Sequence, residues 1–314
     1  MSQINRIDGG LIDQEKVLNF TFNGQILKGY EGDTLASALL ANNKHLIGRS
    51  FKYHRPRGIV TAGSEEPNAI MEIGNGAYKD PNTRATVTQL YNGLEANSQN
   101  HRGPLSFDFM AITDFLSPLL GAGFYYKTFM WPKAFWEKFY EPAIRKSAGL
   151  GTLSTEADPD TYDKGFRHCD ILIIGAGATG LSAALTAANS GAIIILADED
   201  FLMGGRLNSE TNEIDGMAGS EWAKKTVAKL SAMENVTLMT DTTVFGAYDH
   251  GIYGAIENRA SEAREDNDKP RQVNWRIYTK RAILCAGATE RLIAFGNNDR
   301  PGIMLASAVR TYLN

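Results

Sequence analysis

At 314 residues the chain has room for about two domains with substantial cores, and its 43% hydrophobic and 22% charged residues are globular values. The formal charge of -4 gives no support for a nucleic-acid partner. The two cysteines, Cys169 and Cys285, lie far apart and outside any CxxC, which excludes a dithiol redox site and a cluster held by four thiolates.

No signal peptide is read at Met1, and the apolar stretches are too short or carry charges such as Lys127, Lys133 and Glu137. Neither a secreted nor a membrane-spanning protein is therefore expected, and a cytoplasmic location follows. Residues 1–16 are polar and read as a loose arm or docking tail. Val17 to Phe22 alternates, Asn23-Gly24 is a two-residue hairpin signal, and Gln25 to Tyr30 supplies the return strand. Asp33 or Thr34 then caps a helix that turns Leu35, Leu39 and Leu40 inward. The spacing predicts a small α+β domain of β-grasp type over 17–105.

The run Gly48 to Gly58 is basic and aromatic. It reads either as an ordered surface loop held by Pro56 and Gly58, or as a docking surface on which Arg49, Arg55 and Arg57 contact an acidic segment or a phosphate. Ile70 to Ile73 resembles another strand, turned by Gly74-Asn75-Gly76. Between 106 and 168 the composition shifts to aromatics, among them Phe124, Tyr125, Tyr126, Phe129, Trp131, Phe135, Trp136, Phe139 and Tyr140, broken by prolines. This is a connecting arm whose aromatics pack between the two domains or form a subunit interface.

The nucleotide-binding part begins at about 169 and runs to 314. Ile171 to Ile174 reads as a short strand buried on both faces, and Gly175, Gly177 and Gly180 follow it at dinucleotide-binding spacing. Gly175 permits the tight turn, Gly177 lets backbone approach phosphates, and Gly180 lets the following helix lie close on the sheet. Leu181, Ala184, Leu185 and Ala188 repeat at helical spacing, and a second apolar run from Ala192 to Leu196 delivers Asp198, Glu199 and Asp200. An acid at that distance accepts hydrogen bonds from an adenosine ribose and repels a 2′-phosphate. The ribose of NAD and that of FAD suit it equally. Gly204-Gly205 lets the chain pass near the nucleotide, with Arg206 in reach of a phosphate or ribose.

Further strands are predicted at Val236 to Met239, Thr243 to Tyr248, Ile252 to Glu257, Val273 to Thr279 and Ala282 to Cys285, with a charged, solvated loop over 259–271. A meander inserted before a final glycine-ended strand is the plan of two-dinucleotide-binding flavoproteins. Leu305 to Leu313 reads as a helix. No nucleophile elbow or HExxH motif is present, and His45, His54, His101, His168 and His250 are scattered, so no catalytic or metal-binding residue is assigned.

Four stretches carry a resemblance: Gly48 to Gly58, Ala122 to Pro132, the glycine turn at Gly175, and Cys285 to Arg291 with Asp299-Arg300-Pro301-Gly302. Together they resemble the alpha subunit of heterotetrameric sarcosine oxidase, from about Val17 onward, and its near relatives among amine and opine oxidase subunits. The resemblance is to an N-terminal portion of a longer subunit. It implies a ferredoxin-like β-grasp domain, here without an iron–sulfur cluster because residues 1–168 contain no cysteine, followed by a Rossmann-like FAD/NAD-binding domain incomplete at its C-terminus.

The resemblance further implies NAD bound at Gly175, Gly177, Thr179, Gly180, Asp198, Glu199, Asp200, Arg206 and Val244. Thr179 stands where the family has a small alanine, and Asp200 where a longer or neutral side chain is usual. Sarcosine would be oxidised at the flavin of a separate beta subunit. Covalent FMN would lie at the alpha/beta boundary, gamma and delta subunits would complete the complex, and the one-carbon unit would pass to tetrahydrofolate. Two other functions fit the residues: a self-sufficient FAD- or NAD(P)H-dependent oxidoreductase with its flavin on Gly175 and Asp198, and a scaffold subunit that binds partners through Phe124 to Tyr140 and keeps a structural nucleotide.

Overall fold

The computed structural model describes residues 3–127, 129–147, 151–260, 266 and 268–314. Thr128 of the aromatic arm, residues 148–150, and positions 261–265 and 267 of the expected charged loop lie outside the described residues. The chain divides into two units, one running to Asp158 and including Glu290–Tyr312, the other covering Pro159–Thr289. Residues 290–312, expected within the nucleotide domain, thus belong to the first unit.

In the first unit, β1 (Asp13–Phe22) and β2 (Gln25–Glu31) form an antiparallel hairpin. Asn23 (φ 50°) and Gly24 (φ 75°) turn it, both left-handed as a two-residue hairpin turn requires. Helix α1 (Leu35–Ala41) is capped by Thr34, whose hydroxyl accepts from the Ser37 N–H at 3.1 Å while Ser37 Oγ accepts from the Thr34 N–H at 3.0 Å. Strands β3 (Ile70–Ile73), β4 (Asp80–Arg84) and β5 (Leu94–Ser98) complete a five-stranded sheet of order β2-β1-β5-β3-β4, in which β1 and β5 run parallel. Phe20, Leu35, Leu39, Met71 and Leu94 are fully buried in its core.

From Gln3 onward the N-terminal arm is not loose, while Met1 and Ser2 lie outside the described residues. Arg6 donates from Nη1 and Nη2 to both oxygens of Asp33 at 3.0 and 2.6 Å, and β1 already begins at Asp13. Asp33 has no solvent access, and a buried carboxylate is retained only where a cation and hydrogen bonds satisfy it. Asp33 is therefore the anchor of the arm, and Thr34 the cap.

The three arginines of the basic loop are likewise spoken for. Arg49 donates to the carbonyls of Leu105, Ser106 and His54, and both Arg55 and Arg57 pair with Asp299. That occupation removes them as a surface for a foreign phosphate; the loop is an internal hub instead. A second hub is Glu66, buried and accepting from the N–H groups of Val60, Thr61, Asn68 and Ala69 at 2.7–3.0 Å.

The second unit is built on β6 (Tyr162–Ile174), α2 (Ala178–Ala188), β7 (Ile194–Ala197), α3 (Gly219–Ser231), β8 (Val236–Met239), β9 (Thr242–Tyr248), β10 (Ile252–Asn258) and β11 (Gln272–Leu284). The sheet order is β8-β7-β6-β11-β10-β9, with β8, β7, β6 and β11 parallel and β10 and β9 antiparallel additions. Leu172 and Ile173 are fully buried and face two different apolar clusters, so β6 is covered on both sides as expected of a central parallel strand.

Two strand boundaries differ from the sequence reading. Strand β6 starts at Tyr162, and the segments read as separate strands around Lys280-Arg281 form one strand, β11. The two pair in one constant parallel register from Gln272↔Tyr162 to Leu284↔Ile174, which resumes at Arg281↔Ile171 after Thr279↔Cys169. The polar pair looks like a break in a hydrophobic run, but an exposed Lys280 paired with Asp170 at 2.7 Å sits comfortably within a ladder. Among the described residues no helix is long and apolar enough to cross a membrane.

The β8–β9 turn ties the strand ends together: the Asp241 N–H donates to Asp200 O at 3.1 Å, and Asp241 O accepts from the Asn258 N–H at 2.8 Å. Burial raises the Asp241 carboxyl to about 6, and the nearby Glu257 charge adds to the rise while a hydrogen bond with Thr240 opposes it. A carboxyl raised on folding costs stability once it ionises, so stability falls as pH rises from about 4 through 6. Asp241→Asn, which tolerates the φ of 49°, is expected to stabilise the protein at pH 7.5 by about 1 kcal/mol after solvent screening, and not at pH 4. Urea unfolding at the two pH values checks this; an equal effect at both contradicts it.

Candidate functional site

At the carboxyl end of β6 the chain must turn sharply into α2 beneath the next strand. Gly175 does this at φ 98°, and a side chain there would put Cβ 2.5 Å from Cys285 O, so glycine is required twice over. The turn is bracketed by backbone bonds: the Gly175 N–H donates to Ala197 O at 2.8 Å, and the Cys285 N–H donates to Ile174 O at 2.7 Å. A Cβ on Gly180 would overlap Gly175 O, which is the close helix-on-turn approach read from the spacing.

Gly177 is different in kind. It is the N-cap of α2, offers no side chain to the first-turn N–H groups, and a Cβ built on it meets nothing within 4 Å. Donors at a helix start, lying beside open space, are suited to an anion. The opposite wall is Gly204-Gly205. The Gly204 N–H donates to Ala176 O at 3.0 Å, and a Cβ on Gly205 (φ 52°) would lie 3.2 Å from Gly177 Cα. Backbone groups alone wall the space between the two glycine turns.

Asp198 stands at the end of β7, only 9% exposed. One of its oxygens accepts from the Ala176 N–H, inside the glycine turn, and the other from the Asp200 N–H at 2.9 Å. The carboxylate therefore holds the turn in place, with two lone-pair sites left for a ribose. Glu199 and Asp200 are exposed beside it. Thr179 is exposed on the first turn of α2, and Arg206, 60% exposed, lies 3.5 Å from Glu210. Val244 on β9 packs against the cluster that includes Ala197 and Met239.

The structure thus gathers Gly175, Gly177, Gly180 and Asp198 into one constellation, places Thr179, Glu199, Asp200 and Arg206 at its exposed rim, and leaves Val244 on the apolar side. Ala176 and Cys285 belong to the constellation through main-chain atoms. No side-chain pattern announces such residues; only their position beside the glycines does. Burial pushes the thiols of Cys169 and Cys285 up, so neither is an activated nucleophile. Among the described residues no group of three or more His, Cys, Asp or Glu is arranged to hold a metal ion.

The second unit has a Rossmann-like fold, and residues 170–271 match the family described as FAD dependent oxidoreductase. Residues 15–101 match the family described as 2Fe-2S iron-sulfur cluster binding domain. The chain is homologous to the alpha subunits of sarcosine oxidase. It is 56% identical over 306 residues to sarcosine oxidase subunit alpha of Rhizobium meliloti (strain 1021), covering 97% of this chain and 31% of that protein. Against the corresponding subunit of Corynebacterium sp. (strain U-96) it is 36% identical, covering 98% of this chain and 27% of that one. The chain thus spans just under a third of the length of these curated relatives. L-Proline dehydrogenase from P. horikoshii shares the fold at a TM-score of 0.56 and 20% identity, over 92% of this chain and 44% of that one.

The two helix-turn glycines are expected to respond differently to the same change. Gly180→Ala forces the helix off the turn and should cost about 1–3 kcal/mol in unfolding free energy. Gly177→Ala meets no protein atom and should leave stability within about 0.5 kcal/mol, while it weakens dinucleotide binding measured by calorimetry. Equal destabilisation by both would contradict the cradle.

Proposed function

We propose that this chain is the NAD-binding part of the alpha subunit of a flavin-dependent sarcosine oxidase. The observation that carries the reading is the cradle of Gly175, Gly177 and Gly205 held by Asp198, on a chain 56% identical to a sarcosine oxidase alpha subunit. The oxidative demethylation of sarcosine runs at a flavin of the beta subunit, with FMN at the alpha/beta boundary, gamma and delta subunits in the complex, and tetrahydrofolate as one-carbon acceptor. The location is cytoplasmic.

In this reading the first-turn amides of α2 and the Gly205 backbone hold the pyrophosphate. Asp198, with Glu199 or Asp200, takes the ribose hydroxyls, Arg206 swings toward a phosphate, and Val244 lies under the adenine. A nicotinamide ring, when bound, exchanges hydride; this chain's own residues bind and orient. Four of the five histidines have partners unrelated to such chemistry: His54 bonds Asp108, His168 stacks on Tyr278, His45 meets Asn43, and His101 meets Ser98 and Gly103 O. No catalytic residue is assigned.

The first unit carries no iron–sulfur cluster in this account. The matched segment 15–101 has no cysteine at all, and a [2Fe–2S] centre needs thiolate or mixed thiolate and imidazole donors. The donor set does not fit the group.

A second reading places FAD in the same cradle as the cofactor of a self-sufficient oxidoreductase, favoured by the family match over 170–271. Calorimetry on the purified chain separates the two. NAD is expected to bind, and NADP at least about tenfold more weakly, because its 2′-phosphate meets the Asp198–Asp200 carboxylates. Protein that purifies yellow with FAD and ignores NAD supports the second reading, and binding of neither nucleotide sinks both.

A further inference from the structure

The first unit holds three Asn-Gly pairs, Asn23-Gly24, Asn75-Gly76 and Asn92-Gly93, each exposed in a connection between strands. Such a pair contains both partners of a ring closure. The glycine nitrogen, unhindered by a Cβ on its own residue, can attack the side-chain carbonyl carbon of the asparagine and close a five-membered imide. The fold governs this reaction in two ways: it sets how near the nitrogen lies to the side chain, and it supplies hydrogen bonds that must break first.

In two of the pairs the fold opposes the closure. Asn23 lies in the left-handed region at φ 50°, where the accompanying small positive ψ turns the next nitrogen away from the side chain. Its Oδ1 also accepts from the Ser98 N–H at 2.8 Å, and its Nδ2 donates to Ser98 Oγ at 2.9 Å. In Asn92-Gly93 both reacting groups are engaged. Asn92 Oδ1 accepts from the Asn19 N–H at 3.0 Å, and the Gly93 N–H donates to Asn19 O at 2.7 Å.

Asn75-Gly76 lacks these restraints. Asn75 is extended, at φ -143° and ψ 171°, which leaves the Gly76 nitrogen gauche to the Asn75 Cβ, and its side chain makes no capping bond to the turn that follows. Nδ2 donates to Glu95 Oε2 at 2.7 Å, in an exposed contact. Among the described residues neither Asn75 Oδ1 nor the Gly76 N–H has a hydrogen-bond partner. A single exposed hydrogen bond opens far more readily than the two that hold Asn23.

We propose that Asn75-Gly76 is a site of spontaneous modification, at which asparagine converts to aspartate and isoaspartate and loosens the edge of the first sheet. The Gly76 nitrogen loses its proton to solvent and bonds to Asn75 Cγ; the Cγ–Nδ2 bond breaks, and the amide leaves as ammonia. Water then opens the imide at either carbonyl, and no oxidant or reductant takes part. The new carboxylate stands beside Glu95, where the amide had donated a hydrogen bond, and a Cβ built on Gly76 would lie 3.4 Å from Glu156 Oε2, so a second acid is close. Lys79, on the same connection, is already paired with Glu72 at 2.8 Å. Like charges gather at the β3–β4 turn, and β4 is an edge strand held in the sheet by β3 alone.

The test uses the protein isolated with the subunits that accompany it in the cell, incubated in mildly alkaline buffer and digested for peptide mass spectrometry. Conversion adds one mass unit to the affected peptide. In the folded protein Asn75 is expected to convert at least about tenfold faster than Asn23 or Asn92, and in urea the three rates should draw together as the restraints vanish. Equal rates in the folded protein overturn the proposal, as does an Asn75 lead of the same size in urea, which would assign the selection to local sequence.

Two variants test the consequence. Asn75→Gln should keep the melting temperature and form no product at this position over the same time. Asn75→Asp should lower the melting temperature by about 2–4 °C at low salt, and by clearly less in 1 M salt, where repulsion between exposed carboxylates is screened. An unchanged melting temperature for Asn75→Asp, or a fall that salt does not reduce, overturns the loosening by charge.

Discussion

A backbone turn that is to accept a pyrophosphate must be rigid and yet carry no side chain in the space the ligand needs. Here the rigidity is supplied from outside the turn, by the Asp198 carboxylate gripping the Ala176 N–H. A charge-assisted hydrogen bond of this kind, with the carboxylate almost fully buried, is among the stronger local restraints a protein has. The same carboxylate takes the Asp200 N–H, so the glycine turn, the end of β7 and the acidic rim move as one piece. Much of the second unit can be understood as the support for that bond.

The support begins with β6, whose Leu172 and Ile173 are fully buried in separate clusters on the two faces of the sheet. Each such side chain contributes about 1.5–3 kcal/mol by leaving water. Their burial fixes the height at which Gly175 emerges, and the parallel neighbours β7 and β11 set its surroundings through Ala197 O and Cys285 O. The second wall, Gly204-Gly205, is held by Ala176 O, so one alanine between two glycines is hydrogen-bonded from both directions. Its side chain matters little to that role. A position defined by main-chain atoms leaves no signature in residue type.

That difference explains what was legible in the chain itself. The hairpin at Asn23-Gly24, the helix after Thr34, the glycine turn and the acid after β7 were readable because each needs a particular residue type for a local reason. The inward use of Asp198 was not readable, since a carboxylate at a strand end serves a ribose or a backbone amide equally well by composition. The Arg49 to Arg57 loop misleads in the same manner: three arginines look like an anion site until the carbonyls of Leu105 and Ser106 and the carboxylate of Asp299, distant in sequence, come to meet them. The continuity of β11 through Lys280-Arg281 depends on pairing with β6, which is tertiary information.

The proposed anion cradle consists of the amides of the α2 start and of Gly205. Amide chemical shifts of the isotopically labelled chain, followed while ADP and then adenosine are titrated in, test it most directly. ADP is expected to move the amide signals of Gly177, Ala178, Thr179, Gly180 and Gly205, and adenosine, lacking phosphate, to leave these signals nearly unmoved. Shifts of equal size with both ligands, or shifts confined to residues outside the turn, would contradict it.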